Sequence, residues 1–177
     1  MVEAAPRVCR IPVATPHVPA VERVLADLAA ILRSGRLTKG PAVERLEAAL
    51  AARLGVRHAV AVSSCTIGLM LVYRGLAGAG RGREQSRDEV VMPSFTFLAA
   101  PAAAVWSGLK PVFIDVDPAT ANIEPEEVAR SITPQTVAIC GCHTFGNPCD
   151  VAGLVRVADA HGLPLVIDAA HAFGARV

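Results

Sequence analysis

The sequence is poor in charge, and especially in lysine. Charged residues are 19% of its 177 residues, two of the 17 basic residues are lysines, and the formal net charge is +1. The arginines are scattered among 16 acidic residues, and aromatic residues are only 4% of the chain. Proteins that bind nucleic acid usually carry a basic patch or stripe on one face. We therefore expect no nucleic-acid partner.

Long apolar runs are also missing. Residues 1–17, "MVEAAPRVCRIPVATPH", hold prolines and arginines and lack the apolar core of a signal peptide. The longest apolar stretch, "FLAAPAAAVW" (97–106), is too short and too broken by proline to span a bilayer. The five cysteines are odd in number and follow no secretory signal, which favours reduced thiols. We expect a cytoplasmic protein without a membrane partner.

Apolar residues, by contrast, make up 53% of the chain, enough for a well-packed domain or for part of a larger one. Two helices are predicted first. One starts after Pro16 and ends at Ser34-Gly35, and the other runs from Pro41 to Leu54, before Gly55. Residues 1–56 are therefore predicted to be an N-terminal helical segment.

From residue 57 onward, short apolar runs alternate with helical patterns. Such alternation predicts a parallel sheet covered by helices on both faces, a three-layer αβα arrangement. Residues 77–89, "AGAGRGREQSRDE", are predicted to be a flexible loop. The predicted strands are 58–64, 90–92, 111–116, 136–142 and 164–168, and the helices between them are 66–76, 96–108, 124–132 and 150–162.

Ligands of such sheets bind beyond the carboxyl ends of the strands, and the sequence has polar clusters at those points. In "VSSCTIG" (62–68), Ser64, Thr66 and the first amides of a helix suit a phosphate. The alternative is that Ser64 only caps the helix. In "PSFTFLA" (93–99), Phe95 and Phe97 alternate, and one of them can face the ligand. Core packing is the ordinary expectation for both rings.

Asp168 ends the last apolar run, and His171 follows three residues later. A carboxylate leaving a buried strand needs a donor or a cation, although an aspartate there can also cap the next segment. Three cysteines and a histidine in "CGCHTFGNPCD" (140–150) are residue types that bind metal ions. Their spacing differs from that of zinc-binding loops, so we expect buried thiols without metal at Cys140, Cys142 and Cys149.

Together and in this order, the clusters resemble the DegT/DnrJ/EryC1/StrS family of sugar aminotransferases, which depend on pyridoxal 5'-phosphate (PLP). The resemblance implies that residues 57–177 form the first part of the large domain of PLP-transferase fold type I, truncated before the family's remaining segments. The matching stretches are "SGRLTKGPAVERLEAALAARLGVRHAVAVSSCT", "VVMPSFTFLA", "KPVFIDVDPATANIEPEEVARSITPQTVAI", "HTFGNPCDV" and "LVIDAAHAFGA".

The resemblance also implies roles for single residues. Thr66 and the backbone at Ile67 match the family's phosphate binders, although Cys65 stands where the family usually has glycine or alanine. Phe97 matches the aromatic that stacks on the pyridine ring. Asp168 matches the acid that pairs with the ring nitrogen, and His171 lies at the position near the 3-oxygen.

The family's Schiff-base lysine lies in a later Ser-Phe-x-x-x-Lys segment, and neither Lys39 nor Lys110 matches it. We therefore expect an N-terminal fragment that is inactive alone. The family implies transamination of a keto nucleotide sugar by an amino-acid donor, in a homodimer. Two alternatives stay open: a non-catalytic subunit that pairs with a complete aminotransferase, and an α/β domain that binds a phosphorylated ligand without chemistry.

Overall fold

The structure is a computed structural model that describes residues 18–79 and 87–175. The chain divides into two compact units, one ending at Ala61 and the other beginning at Val62. Residues 1–17, the first part of the predicted N-terminal helical segment, lie outside the described residues. So does most of the predicted loop 77–89, whose first residues instead continue a helix as far as Ala79.

The first unit contains the two predicted helices, α1 (Val21–Ser34) and α2 (Pro41–Leu54). Each ends at a glycine with positive φ, which is 67° at Gly35 and 66° at Gly55. Glycine adopts this left-handed conformation at no steric cost, and it ends helices for that reason. Both helix predictions are confirmed.

In the second unit the four strands form one parallel sheet in the order β2-β1-β3-β4, so that β2 and β4 are its edges. Helices and strands alternate along this unit, as predicted. Its elements are α3 (Cys65–Ala79), β1 (Glu89–Pro93), α4 (Ala99–Trp106), β2 (Lys110–Ile114), α5 (Pro125–Ser131), β3 (Thr136–Cys142), a 3₁₀ turn (Thr144–Gly146), α6 (Val151–His161) and β4 (Leu165–Asp168).

Alternate residues of the central strands pack on opposite faces of the sheet. Val90 and Met92 of β1 lie in the cluster that contains residues of α3 and α4. Val91, between them, lies in the cluster that contains residues of α5 and α6. Both faces are therefore covered, which explains why these strands are apolar without interruption. The predicted three-layer arrangement is confirmed.

The predicted strand at 58–64 is wrong for this structure. Residues 58–64 form no strand pairing, and Val60 is 77% exposed. The amide of Ala61 donates to the Glu47 side chain of α2, at 2.9 Å, and not to a strand. An apolar run is buried as a parallel strand only if neighbouring strands and helices cover it. The apolar pattern of residues 58–64 does not show whether neighbouring strands and helices are there to bury it.

No helix in the described ranges, 18–79 and 87–175, has the length and apolar character needed to cross a membrane.

Candidate active site

A cavity of about 380 Å³ lies at the carboxyl end of the sheet. Its walls come from the start of α3 and from the segments that follow β1, β3 and β4. Thr66, Phe97, Asp168 and His171, four of the residues singled out from the sequence, all line it. The complete lining is Cys65, Thr66, Phe95, Thr96, Phe97, Ala99, Cys142, His143, Thr144, Phe145, Asp168, Ala170 and His171.

Asp168 is the last residue of β4 and is only 6% exposed. One carboxylate oxygen, Oδ1, accepts hydrogen bonds from the amide of Ala170 at 3.1 Å and from the thiol of Cys65 at 3.5 Å. No group in the described residues donates to Oδ2. The side chain is thus held by one oxygen, and the other is available to a donor entering the cavity.

Cys65 is the first residue of α3, and its thiol lies within hydrogen-bond distance of the Asp168 carboxylate. Burial, and next the negative charge of Asp168, raise the pKa of the Cys65 thiol. The thiol therefore keeps its proton at neutral pH and acts as a hydrogen-bond donor to the carboxylate.

The beginning of α3 has a side-chain cap. Ser64 Oγ accepts from the amide of Ile67 at 3.3 Å, so Ser64 caps the helix. The amides of Cys65 and Thr66 have no acceptor among the described residues. First-turn amides of a helix have no partner within the helix. Both residues line the cavity, and their amides favour an anion there.

Three phenylalanines border the cavity. Phe95 is 50% exposed and Phe97 is 75% exposed, so the ordinary expectation that both rings pack in the core is wrong. Phe95 meets Phe145 edge-on, with ring centroids 6.0 Å apart and planes inclined by 64°. This geometry is favourable for aromatic pairs. It joins the segment after β1 to the segment after β3.

The loop after β3 touches the loop after β4 at one glycine. Gly146 has φ of 84°, and a Cβ atom placed on it would lie 2.9 Å from the carbonyl oxygen of His171. Phe145, its neighbour, has φ of 54°, which is uncommon for a residue other than glycine. Backbone conformations of this kind cluster at functional sites. Here they bring two walls of the cavity together.

His143 lines the cavity directly after β3, although the sequence pattern suggested it only as part of a metal set. Its Nδ1 accepts from the amide of Cys149 at 3.2 Å. Burial lowers the pKa of His143, and the Asp168 charge opposes this only in part. The imidazole is therefore neutral at neutral pH, with its proton on Nε2. Its position immediately beyond a strand end is the signal that also identified Asp168.

Cys140 and Cys149 are buried thiols. Burial raises the pKa of Cys140 to about 12 and that of Cys149 to about 11. Cys142 lines the cavity wall and is half-buried. Across residues 18–79 and 87–175, no three His, Cys, Asp or Glu side chains are grouped so that they could hold a metal ion.

Known proteins resemble this chain in sequence and in fold. Residues 20–177 match the DegT/DnrJ/EryC1/StrS aminotransferase family. The spore coat polysaccharide biosynthesis protein SpsC of Bacillus subtilis (strain 168) is 39% identical over 148 residues, which are 84% of this chain and 36% of SpsC. The chain thus spans little more than a third of that relative.

Two crystal structures are similar in both sequence and fold. DesI, solved in the presence of its TDP-sugar product, has a TM-score of 0.79 and 44% identity, over 90% of this chain and 39% of DesI. NtdA from Bacillus subtilis, with bound cofactor PMP, has a TM-score of 0.74 and 32% identity, over 84% of this chain and 33% of NtdA. The predicted fold type I architecture is confirmed, and the chain belongs to the DegT/DnrJ/EryC1/StrS aminotransferase family.

Proposed function

We propose that this chain supplies part of the PLP site of an aminotransferase that acts on a keto nucleotide sugar. The observation that carries the proposal is Asp168, a nearly buried carboxylate with Oδ1 already bonded and Oδ2 available, in a cavity that Phe97 borders. A buried anion at this place suits a ligand with a protonated ring nitrogen.

The residues present fit that cofactor. Phosphate donors in the proposal are the Thr66 hydroxyl and the amides of Cys65 and Thr66, because the Ile67 amide already has Ser64 as its partner. Phe97 offers an exposed ring on which a pyridine ring can stack. His171 lies three residues after Asp168 and also lines the cavity. We propose that it contacts the ring's 3-oxygen.

PLP, when bound, supplies an electron sink for reactions at the carbon that carries the amino group. The chain's own contribution is to bind and orient it. Asp168 keeps a proton on the ring nitrogen, and the neutral imidazole of His143 adds no competing positive charge beside that carboxylate.

The reaction also needs a lysine amine, and the cavity lining contains no lysine. Lys110 begins β2, at the opposite end of the sheet, where its ammonium pairs with Asp88 at 2.8 Å. A five-residue strand is roughly 15 Å long, so this amine is far from Asp168. We propose that the amine comes from residues outside 1–177 and that the 177-residue chain alone does not catalyse transamination.

Further parts of the proposal rest on the family. The amino donor is an amino acid, the active form is a homodimer and the location is cytoplasmic. DesI was solved with its TDP-sugar product and SpsC is named for polysaccharide biosynthesis, which supports a nucleotide-sugar substrate. A non-catalytic subunit bound to a complete aminotransferase is the second candidate, favoured by the same lack of a lysine in the cavity.

The test is a titration of the chain with PLP, before and after Asp168→Asn. The substitution keeps the side-chain shape and the Oδ1 acceptor but removes the charge. Hydrogen bonds to charged groups are worth about 1.5–3 kcal/mol, so we expect PLP affinity to fall by about 10- to 150-fold.

Asp159→Asn, at an exposed position of α6, is the matched control and should leave the affinity unchanged. Equal affinity in Asp168→Asn and the parent chain would contradict the assignment of Asp168. Amino transfer from glutamate to a keto sugar by the 177-residue chain alone would contradict the argument about the lysine. Co-purification with a full-length aminotransferase would favour the second candidate.

A further inference from the structure

Two hydroxyl groups on the cavity wall have no hydrogen-bond partner within residues 18–79 and 87–175. The Oγ1 atoms of Thr96 and Thr144 are closed off from solvent and unpaired among the described residues. Both residues line the cavity, and Thr144 is only 7% exposed. Buried polar groups are paired in the great majority of cases, and an exception calls for an explanation.

The two residues have related positions. Thr96 follows Phe95 and Thr144 precedes Phe145, so each threonine is the sequence neighbour of one ring of the edge-on aromatic pair. They lie beyond the carboxyl ends of β1 and β3, which are neighbours in the sheet. The two unpaired groups are therefore in the same region of the cavity rather than scattered through the core.

The backbone of Thr144 is already fixed. Its amide donates to Asn122 Oδ1 at 3.4 Å, and its carbonyl accepts from the amide of Asn147 at 2.9 Å. Only the side chain remains free to change its bonding. Rotation about the Cα–Cβ bond moves a threonine hydroxyl between staggered positions without moving the backbone. The hydroxyl can thus turn towards a ligand while the loop stays in place.

We infer that the hydroxyls of Thr144 and Thr96 are ligand-binding groups, which form hydrogen bonds to oxygen substituents of a flat aromatic ligand in this cavity. The inference rests on the proposed function, for which PLP is the ligand, and it adds two residues to the site. Unpaired hydroxyls lower the free energy of unfolding of the ligand-free protein. Hydrogen bonds from these hydroxyls to the ligand then contribute to the free energy of binding.

The experiment separates stability from binding by means of Thr144→Val, which keeps the shape and removes the hydroxyl. We measure urea unfolding of the chain without ligand, and PLP affinity by titration. The expected result is an unfolding midpoint that is unchanged or higher, with affinity about five-fold lower. Thr96→Val should behave in the same way, and Thr144→Ser, which keeps the hydroxyl, should retain most of the affinity.

Thr136→Val is the matched control, because Thr136 is also buried but its Oγ1 accepts from the amide of Thr133 at 2.9 Å. It should lower the unfolding midpoint and leave the affinity unchanged. The inference is wrong if Thr144→Val lowers the midpoint as Thr136→Val does or fails to fold, because the hydroxyl then serves the empty protein. It is also wrong if the parent and Thr144→Val bind PLP equally. A parent chain that binds no PLP would overturn the proposed function as well.

Discussion

Replacing Gly146 by alanine tests whether the loops after β3 and β4 depend on their close approach. Alanine at φ of 84° is strained, by about 1–2 kcal/mol for a left-handed residue. The new Cβ would also lie 2.9 Å from the carbonyl oxygen of His171. That oxygen belongs to the backbone, so it cannot rotate away as a side chain would. Crowding of this kind typically costs about 1–3 kcal/mol.

Gly162→Ala provides the matched control. Gly162 ends α6 with φ of 61°, and nothing lies within 4 Å of an added Cβ. Its substitution carries the backbone strain without the contact. We therefore expect a loss of about 1–2 kcal/mol in the free energy of unfolding for Gly162→Ala, and of about 2–5 kcal/mol for Gly146→Ala.

Urea unfolding followed by far-ultraviolet circular dichroism measures both losses in the same buffer. Gly146→Ala should also weaken PLP binding, because it pushes apart the loops that carry Phe145 and His171, whereas Gly162→Ala should not. Equal losses of stability in the two variants would refute the reasoning. That result would mean that the loops separate freely and that their contact does not hold the cavity closed.

Two further predictions concern titratable side chains of the cavity and the core. The pKa of His143 is lowered in the folded protein, so unfolding takes up a proton as the pH falls below the ordinary value of 6.5. The contribution of His143 to stability is thus present above about pH 6.5 and lost as the pH falls through the lowered pKa. His143→Asn, which keeps an acceptor for the Cys149 amide, should show a smaller loss of stability between pH 7.5 and pH 5.5 by urea unfolding; an equal loss would contradict this assignment. For the thiols, alkylation of native protein at pH 8 with peptide mapping should modify the exposed Cys65 well before Cys140 and Cys149, since burial shields those two from the reagent. Early modification of Cys140 would show that the sheet opens readily.

Much of this fold could be predicted because local patterns determine it. The predicted strand at 136–142 has the bounds of β3, and the predicted helix at 150–162 begins at Asp150, whose side chain accepts from the amide of Gly153 at 2.8 Å and caps α6. The cap depends on residues within one turn of the chain, and β3 is covered because β1, β4 and helices on both faces surround it. The failed strand at 58–64 differs because its burial requires cover from elsewhere, which a local apolar pattern does not reveal.

The candidate site shows the same division. Asp168 was identified from its place at the end of an apolar run, which is a local signal. The Phe95–Phe145 contact joins residues 50 positions apart and exists because β1 and β3 are neighbours in the sheet. Nothing in "PSFTFLA" or "HTFGNP" specifies that order of strands. The unpaired hydroxyl of Thr144 could not be predicted for the same reason, since pairing depends on which groups the fold brings near.

The two edges of the sheet differ in what they offer to another strand. In β2 the amide of Lys110 and the carbonyl of Ile114 bond inward to the β1 side. By alternation, Pro111 and Phe113 direct their backbone groups outward, and proline has no N–H to give.

In β4 the carbonyls of Pro164 and Asp168 accept from β3 and from the residue after it, so Leu165 and Ile167 direct both N–H and C=O groups outward. This sheet can therefore be widened at β4 and hardly at β2. Because Asp168 ends β4, a strand added there would also end beside the carboxylate. Residues that follow such a strand would therefore lie next to Asp168.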